Sequence, residues 1–385
     1  MEFYLINLYF PFVLAFILAA VVVYFSIPAI IRVAKLKNLY DEPNEDRKAS
    51  KKIVPTLGGM AIFLGFIISV VLSSFRMEFL ELRYIVVALV IMLFVGLKDD
   101  ILYISPKSKL IGQVFVAFIL VVFADLRFTS LHGLLGIEQL PYFASVVLSM
   151  FAITVLTNSL NLIDGIDGLC SGIGVTAASM FAFLFYINND LEFTLIGMAL
   201  SGALFSFFIY NVFGDKNKIF MGDTGSLLIG FVLSIMTIRF NEIPFTDHRL
   251  FEVKEMIGIS LAVMIVPIID TLRVLSIRIL NGKSPFSSDN IHTHHKLLEL
   301  GLTHFQASLI YIVYNVIFVV VAMILQHYIS NYVLILTLLI FAFICVSIPS
   351  ILVKKGYKKQ ISSQGVENHS FNRFFKGLAD KSNTH

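Results

Sequence analysis

Apolar runs, each close to the roughly 20 residues that cross a bilayer, constrain this chain more than any other feature. Eleven can be read, near residues 5–33, 57–74, 79–97, 110–126, 142–160, 169–187, 191–213, 226–240, 257–278, 305–326 and 332–353. In hydrocarbon every backbone N–H and C=O must bond within its own segment or within a closed barrel. Runs of this length satisfy that need as helices, so the expected fold is an all-α integral membrane protein of about eleven transmembrane helices. The third and eighth runs are short or tightly flanked by charge, which leaves the count open by one.

Composition supports this reading. Of 385 residues 57% are hydrophobic and only 14% charged, which excludes a soluble domain. The first run follows Glu2 rather than a basic stretch and has no small-residue cleavage site, so it reads as a retained helix. Cys170 and Cys345 both lie in apolar surroundings and offer neither a disulfide framework nor metal-site spacing. Residues 1–354 form one membrane domain, and 355–385 read as a polar, flexible tail in which Phe371-Asn-Arg-Phe-Phe-Lys376 mixes basic and aromatic residues.

Charge placement orients the bundle. Loops after odd-numbered runs, together with the tail, carry most of the 29 Lys and Arg, while the opposite loops keep Arg76, Arg83, Arg127, Arg239, Arg249 and Lys254. Positive loops stay cytoplasmic, which puts the N-terminus outside and the C-terminus inside. No basic run interleaved with aromatics suggests nucleic acid as a partner.

The same parity brings four polar motifs to the cytoplasmic face, where ionisable groups beside a hydrocarbon layer are usually retained for chemistry. Asp99-Asp100 ends the third run; the pair suits metal binding or general-base work, and equally an acidic helix end facing water. Asn158, Asn161, Asp164 and Asp167 recur every three residues, about 900° around a helix in total, so they cannot share one face. Gly165 and Gly168 therefore end the fifth helix and start the sixth, with Asp167 a candidate N-cap. Phe220-Met-Gly-Asp-Thr-Gly-Ser226 is a glycine-punctuated turn in which Asp223 is either a hard oxygen ligand for Mg²⁺ or a helix cap. Ser284–His295 is a polar loop ending in His292, His294 and His295. Those imidazoles suit phosphate oxygens; zinc is the competing reading, though no His-Glu-x-x-His or Cys partner supports a zinc protease. Asp270 and Arg273, one turn apart, read as a pair within the ninth helix. Gly58 and Gly59, after Lys51 and Lys52, read as a site of tight helix packing. The inventory holds no nucleophilic Ser or Cys constellation and suits phosphoryl transfer, in which positioning and charge stabilisation do most of the work.

At these residues the chain resembles the polyprenyl-phosphate N-acetylhexosamine-1-phosphate transferases, the WecA and MraY group. The matching segments are Pro55–Gly59, Gly96–Asp100, Asn158–Gly168, Tyr210-Asn211, Phe220–Gly230 and Pro267–His295. Ser284-Pro-Phe-Ser-Ser-Asp289 and His292-Thr-His294-His295 are similar to the WecA-like branch rather than the MraY-like phospho-MurNAc-pentapeptide transferases. The resemblance implies an active site built from cytoplasmic loops of a multi-pass protein in the bacterial inner membrane. It implies transfer of N-acetylhexosamine-1-phosphate, with GlcNAc-1-phosphate first choice, from a UDP-sugar to undecaprenyl phosphate. UMP is the second product, Mg²⁺ is required with Mn²⁺ an allowed substitute, and the reaction opens a cell-surface glycan pathway. Carried over residue by residue, Asp223 is the metal ligand. Asp99 or Asp100 binds or deprotonates the lipid phosphate, Asp164 supports the site, and His292, His294 and His295 meet the sugar phosphate. Lys51, Asp167, Asn211 and Phe220 hold the uridine, and Asn158 and Asn161 line the substrate site. The polar Gly214–Asn217 insertion and Thr293 between the histidines depart from the family pattern and put the nucleotide contacts in question. Whether the chain works alone or as a homodimer is open at this level. An ion-coupled transporter, the rival from another class, should place its acidic groups near the midplane with repeat symmetry, whereas these gather at one face.

Overall fold

The computed structural model describes residues 2–37, 39, 54–75, 77–215, 217–243, 255–282 and 292–356. Lys51, the Ser284–Asp289 segment and most of the tail lie outside them.

Every apolar run becomes helix, in the order α1 (Glu2–Leu36), α2 (Gly58–Ser73), α3 (Leu82–Leu102), α4 (Pro106–Phe118), α5 (Tyr142–Ile163), α6 (Leu169–Ile187), α7 (Leu191–Phe213), α8 (Gly222–Asn241), α9 (Met256–Val263), α10 (Ile265–Leu280), α11 (Thr293–Glu299), α12 (His304–Leu325) and α13 (Asn331–Lys354). A π-helical turn, Ile119–Phe123, extends α4. The protein is an all-α, multi-pass membrane protein. Among the described residues eight helices are long and apolar enough to cross a membrane, and nine if the bent pair α9–α10 is one span. The expected eleven includes two that differ: α2 has only 16 residues, and α3 carries Arg83, Lys98, Asp99 and Asp100 within its 21.

The ninth run was expected as one continuous span, but it is broken, with a 76° bend between α9 and α10 at Met264. Pro267 supplies the cause. It has no N–H to give the Val263 carbonyl, and its ring would collide with that carbonyl in a continuous helix; restarting at Ile265 puts it in the first turn, where proline is tolerated.

Local signals set the other boundaries. Ser105 caps α4 by accepting from Ser108 N at 3.2 Å, with Pro106 at the first helical position. Thr303 and Gln306 form a reciprocal capping box on α12. Gly168, at φ 78°, starts α6, so the N-cap belongs to it and not to Asp167 as expected.

Helix α8 is the axis of the bundle: 89% of its most apolar window is buried, against 22% for α13, with α2, α3, α5 and α6 packed around it. Small residues allow the close approaches. A side chain at Gly59 would lie 2.2 Å from Gly225 N, and one at Gly96 2.4 Å from Thr224 Cα. The two ends of the bundle differ. At one end Arg239 joins Asp190 at 2.7 Å and Glu81 at 3.7 Å, Glu242 accepts from Thr129 N, and His132 meets the Asn241 carbonyl. Asp99, Asp100, Asp164 and Asp223 gather at the other.

Candidate active site

Asp223 sits in the first turn of α8, and the backbone before it explains why. Gly222 has φ 73°, and a Cβ there would lie 2.2 Å from Thr56 O and 2.8 Å from the Asp100 carboxylate, so only glycine fits. The chain entering this turn is laced to the start of α2: Phe220 N donates to Pro55 O at 2.8 Å, Gly58 N to Phe220 O at 3.0 Å and Gly59 N to Met221 O at 2.9 Å. The Pro55–Gly59 motif thus acts through its backbone, as a clamp on the Asp223 turn.

The adjacent carboxylates of α3 divide their work. Asp100 accepts from Asp223 N at 2.7 Å, Thr224 N at 3.0 Å and Thr224 Oγ1 at 2.5 Å, so it caps α8 from another helix. Asp99, 8% exposed, takes Ile104 N on Oδ1 at 3.1 Å and Lys109 Nζ on Oδ2 at 2.9 Å. Lys109 also reaches Asp223 Oδ1 at 2.5 Å and Asn161 Oδ1 at 3.2 Å. Asn161 donates to the same Asp223 oxygen at 2.5 Å and to Ser226 Oγ at 2.8 Å. Asn158, one turn deeper, pairs its amide with Gln113 of α4 at 2.5 and 3.3 Å. Two carboxylates, one amide and one ammonium therefore converge, and Asp223 keeps 36% of its side chain open to solvent.

The α5–α6 connection carries the remaining acidic residues. Half-buried Asp164 has its carboxyl pushed up to about 7, first by burial and then by the charges of Asp223, Asp100 and Asp167. Asp167 goes the other way. Burial would raise it, but the hydrogen bond from His304 and the charge and hydrogen bond of Lys218 outweigh burial and hold it below the ordinary carboxylate value. Lys218 Nζ lies 2.6 Å and His304 Nδ1 2.9 Å from Asp167 Oδ2. Asn211 fixes this loop to the Asp223 turn, accepting from Gly168 N at 2.6 Å and donating to Ile219 O at 2.9 Å. Phe220, 37% exposed, presents its ring beneath Lys218 Nζ at 5.7 Å from the centroid.

The histidines close the far side. His294 lies against the α5–α6 loop so tightly that a Cβ on Gly165 would fall 2.2 Å from its Nε2. Burial first, then the neighbouring His295, pushes its pKa down to about 3, so its ring is neutral at physiological pH. His292 stacks on it at 5.5 Å and 17°, and His295 follows at 4.3 Å. Asp270, expected from sequence to pair with Arg273, instead holds His292 Nδ1 at 2.7 Å and Thr293 N at 3.1 Å, while Arg273 reaches Thr293 Oγ1 and Ser350 Oγ.

Lys109, Lys218, His304 and Ser226 belong to this constellation, yet none was identified from sequence. Lys109 and Lys218 look like positive-inside anchors, and their partners are 114 and 51 residues away. The donor set suits Mg²⁺: Asp223 and Asp99 offer hard anionic oxygens on either side of Lys109, and Asn161 adds an amide oxygen.

Carboxylates, imidazoles and lysines gathered at one end of a polytopic helical bundle suit the binding of anionic substrates beside a membrane. Residues 82–241 match the family model described as Glycosyl transferase family 4. A probable undecaprenyl-phosphate N-acetylglucosaminyl 1-phosphate transferase of Bacillus subtilis (strain 168) is 32% identical over 316 residues, covering 82% of this chain and 85% of the relative. The undecaprenyl-phosphate alpha-N-acetylglucosaminyl 1-phosphate transferases of Escherichia coli O157:H7 and Yersinia pestis are each 28% identical over 281 residues, 72% of this chain and 73% and 74% of theirs. This chain belongs to that family, on its WecA-like branch, and is a glycosyl-1-phosphate transferase.

Proposed function

We propose that the protein transfers GlcNAc-1-phosphate from UDP-GlcNAc to undecaprenyl phosphate at the cytoplasmic face of the bacterial inner membrane. An oxygen of the acceptor phosphate attacks the β-phosphorus of the donor. The bond from that phosphorus to the bridging oxygen breaks, and UMP leaves with the electron pair. The lipid-diphosphate sugar remains in the membrane. Support comes from the relatives' names and from one observation in particular: Asp223, Asp99, Lys109 and Asn161 meet at an open helix terminus.

A phosphate monoester is already a competent nucleophile near neutral pH, so the harder problem is bringing two anions together. Mg²⁺ held by Asp223, with Asp99 beside it, would supply charge neutralisation between donor and acceptor. Lys109 shares that role and keeps both carboxylates aimed inward. Asp100 positions the Asp223 turn and is itself fully engaged in doing so. His294, neutral and set against Gly165, with His292 and His295 alongside, donates to the sugar-phosphate oxygens. Phe220 offers its face to the uracil, and Lys218 with Asp167 borders the ribose side.

The direct test is release of UMP by purified protein in detergent. The expected result is release only with UDP-GlcNAc, undecaprenyl phosphate and Mg²⁺ together. A panel including UDP-MurNAc-pentapeptide and UDP-GalNAc fixes the sugar, and preference for the pentapeptide donor would overturn the assignment.

A further inference from the structure

We propose that Asp270, His292 and His294 form a second cation site, suited to a borderline transition ion such as Zn²⁺ and distinct from the hard-oxygen site at Asp223. One ligand atom from each of the three residues lies within 4.8 Å of the others, and all three residues are buried. A cluster of this kind is often only a hydrogen-bonded core, so a second observation decides. His294 is 1% exposed, yet neither of its ring nitrogens has a hydrogen-bond partner among the described residues. Burying two polar nitrogens without partners is costly, and a metal ion is one ligand that would satisfy a lone pair there.

The chemistry of the donors selects the ion. Two imidazoles and one carboxylate suit Zn²⁺, whereas Mg²⁺ prefers oxygen ligands and retained water. Three protein ligands would leave a fourth position open, as in zinc sites that exchange a ligand. His292 Nδ1 and Asp270 Oδ2 stand 2.7 Å apart. Bonds of about 2.1 Å at tetrahedral angles separate ligand atoms by roughly 3.4 Å, so the pair must open by about 0.7 Å. Asp270 is anchored through its other oxygen by Thr293 N, which guides that movement without releasing the carboxylate. An ion held here would take His292 and His294 away from the donor phosphate, making the site inhibitory; this consequence rests on the function proposed above.

Calorimetric titration of Zn²⁺ into the full-length protein in detergent, with Mg²⁺ present throughout, tests the site. Expected is one Zn²⁺ per chain, bound on the order of tenfold or more weakly by H294Q and by D270N, and with unchanged affinity by D223N. Thermal melts of each variant check folding. H294Q removes no hydrogen bond, so it decides the matter even if D270N fails to fold. Absence of binding by the wild type, full retention in H294Q, or loss in D223N would each overturn the proposal. Because the readout is metal uptake, failure of the UMP-release assay would leave this result standing, and the reverse also holds.

Discussion

Substituting Gly96 by alanine should disable the enzyme without unfolding it. A Cβ at this position would sit 2.4 Å from Thr224 Cα, 2.9 Å from Thr224 N and 3.1 Å from Thr224 Oγ1. The first two are backbone atoms of the opening turn of α8, which cannot rotate away as a side chain can. Ordinary carbon–carbon contact begins near 3.5 Å, so α3 and α8 must separate locally by about 1 Å. Asp223 precedes Thr224 and moves with it, and the Asp100 cap is stretched by the same shift. A 1 Å misplacement of a positioning group costs about 100-fold in rate. The expected result is therefore a kcat for UMP release about 100-fold lower, with a destabilisation of about 1–3 kcal/mol. Gly112→Ala is the matched control on α4: the three atoms nearest its Cβ would all be side-chain atoms of Val95, the nearest a terminal methyl at 2.7 Å, which can turn aside. Should G96A keep more than a third of wild-type kcat while G112A behaves as wild type, the claim that the α3–α8 contact sets the position of Asp223 is wrong.

Three further predictions concern charge. Asp100→Ala should lower stability by about 1–3 kcal/mol through two uncapped N–H groups and one hydroxyl, and Asp100→Asn should restore part of it in thermal melts. Asp164 holds its proton in the fold up to about 7, above the ordinary 3.8, so its contribution to stability is complete below 3.8 and is lost as pH rises to about 7. Asp164→Asn should remove that part of the decline when melting temperature is followed from about pH 5 to 8. Asp167 has the opposite sign: its stabilisation is present above the ordinary carboxylate value and disappears as pH falls through its depressed one. Replacing both partners, Lys218→Met with His304→Gln, should therefore make the acid limb of the melting curve shallower.

Much of this architecture is legible in the sequence because it depends on local signals. Each apolar run becomes helical, and Gly165 and Gly168 mark the α5–α6 break. Counting Lys and Arg brings Asp99, Asn161, Asp223 and the histidines to one end, and there the structure gathers them. Long-range pairing is what one-dimensional reading misses. Asp100 looks equivalent to Asp99, yet it spends both oxygens on a helix 123 residues later. Lys109 looks like an anchor until Asp223 is seen beside it. The α9–α10 bend was missed for another reason: an apolar run reads as continuous unless the proline's own geometry is given priority over hydropathy. Lys51 and Ser284–Asp289 fall outside the described residues, so their roles rest on resemblance.

The contrast between the two ends of α8 bears on traffic through the membrane. Its shaft is sealed by neighbouring helices, and its far terminus is tied off by Arg239, Asp190 and Glu81. On the function proposed above, a diphosphate headgroup formed at the open terminus would face a closely packed shaft in that direction, since α8 is mostly buried by α2, α3, α5 and α6.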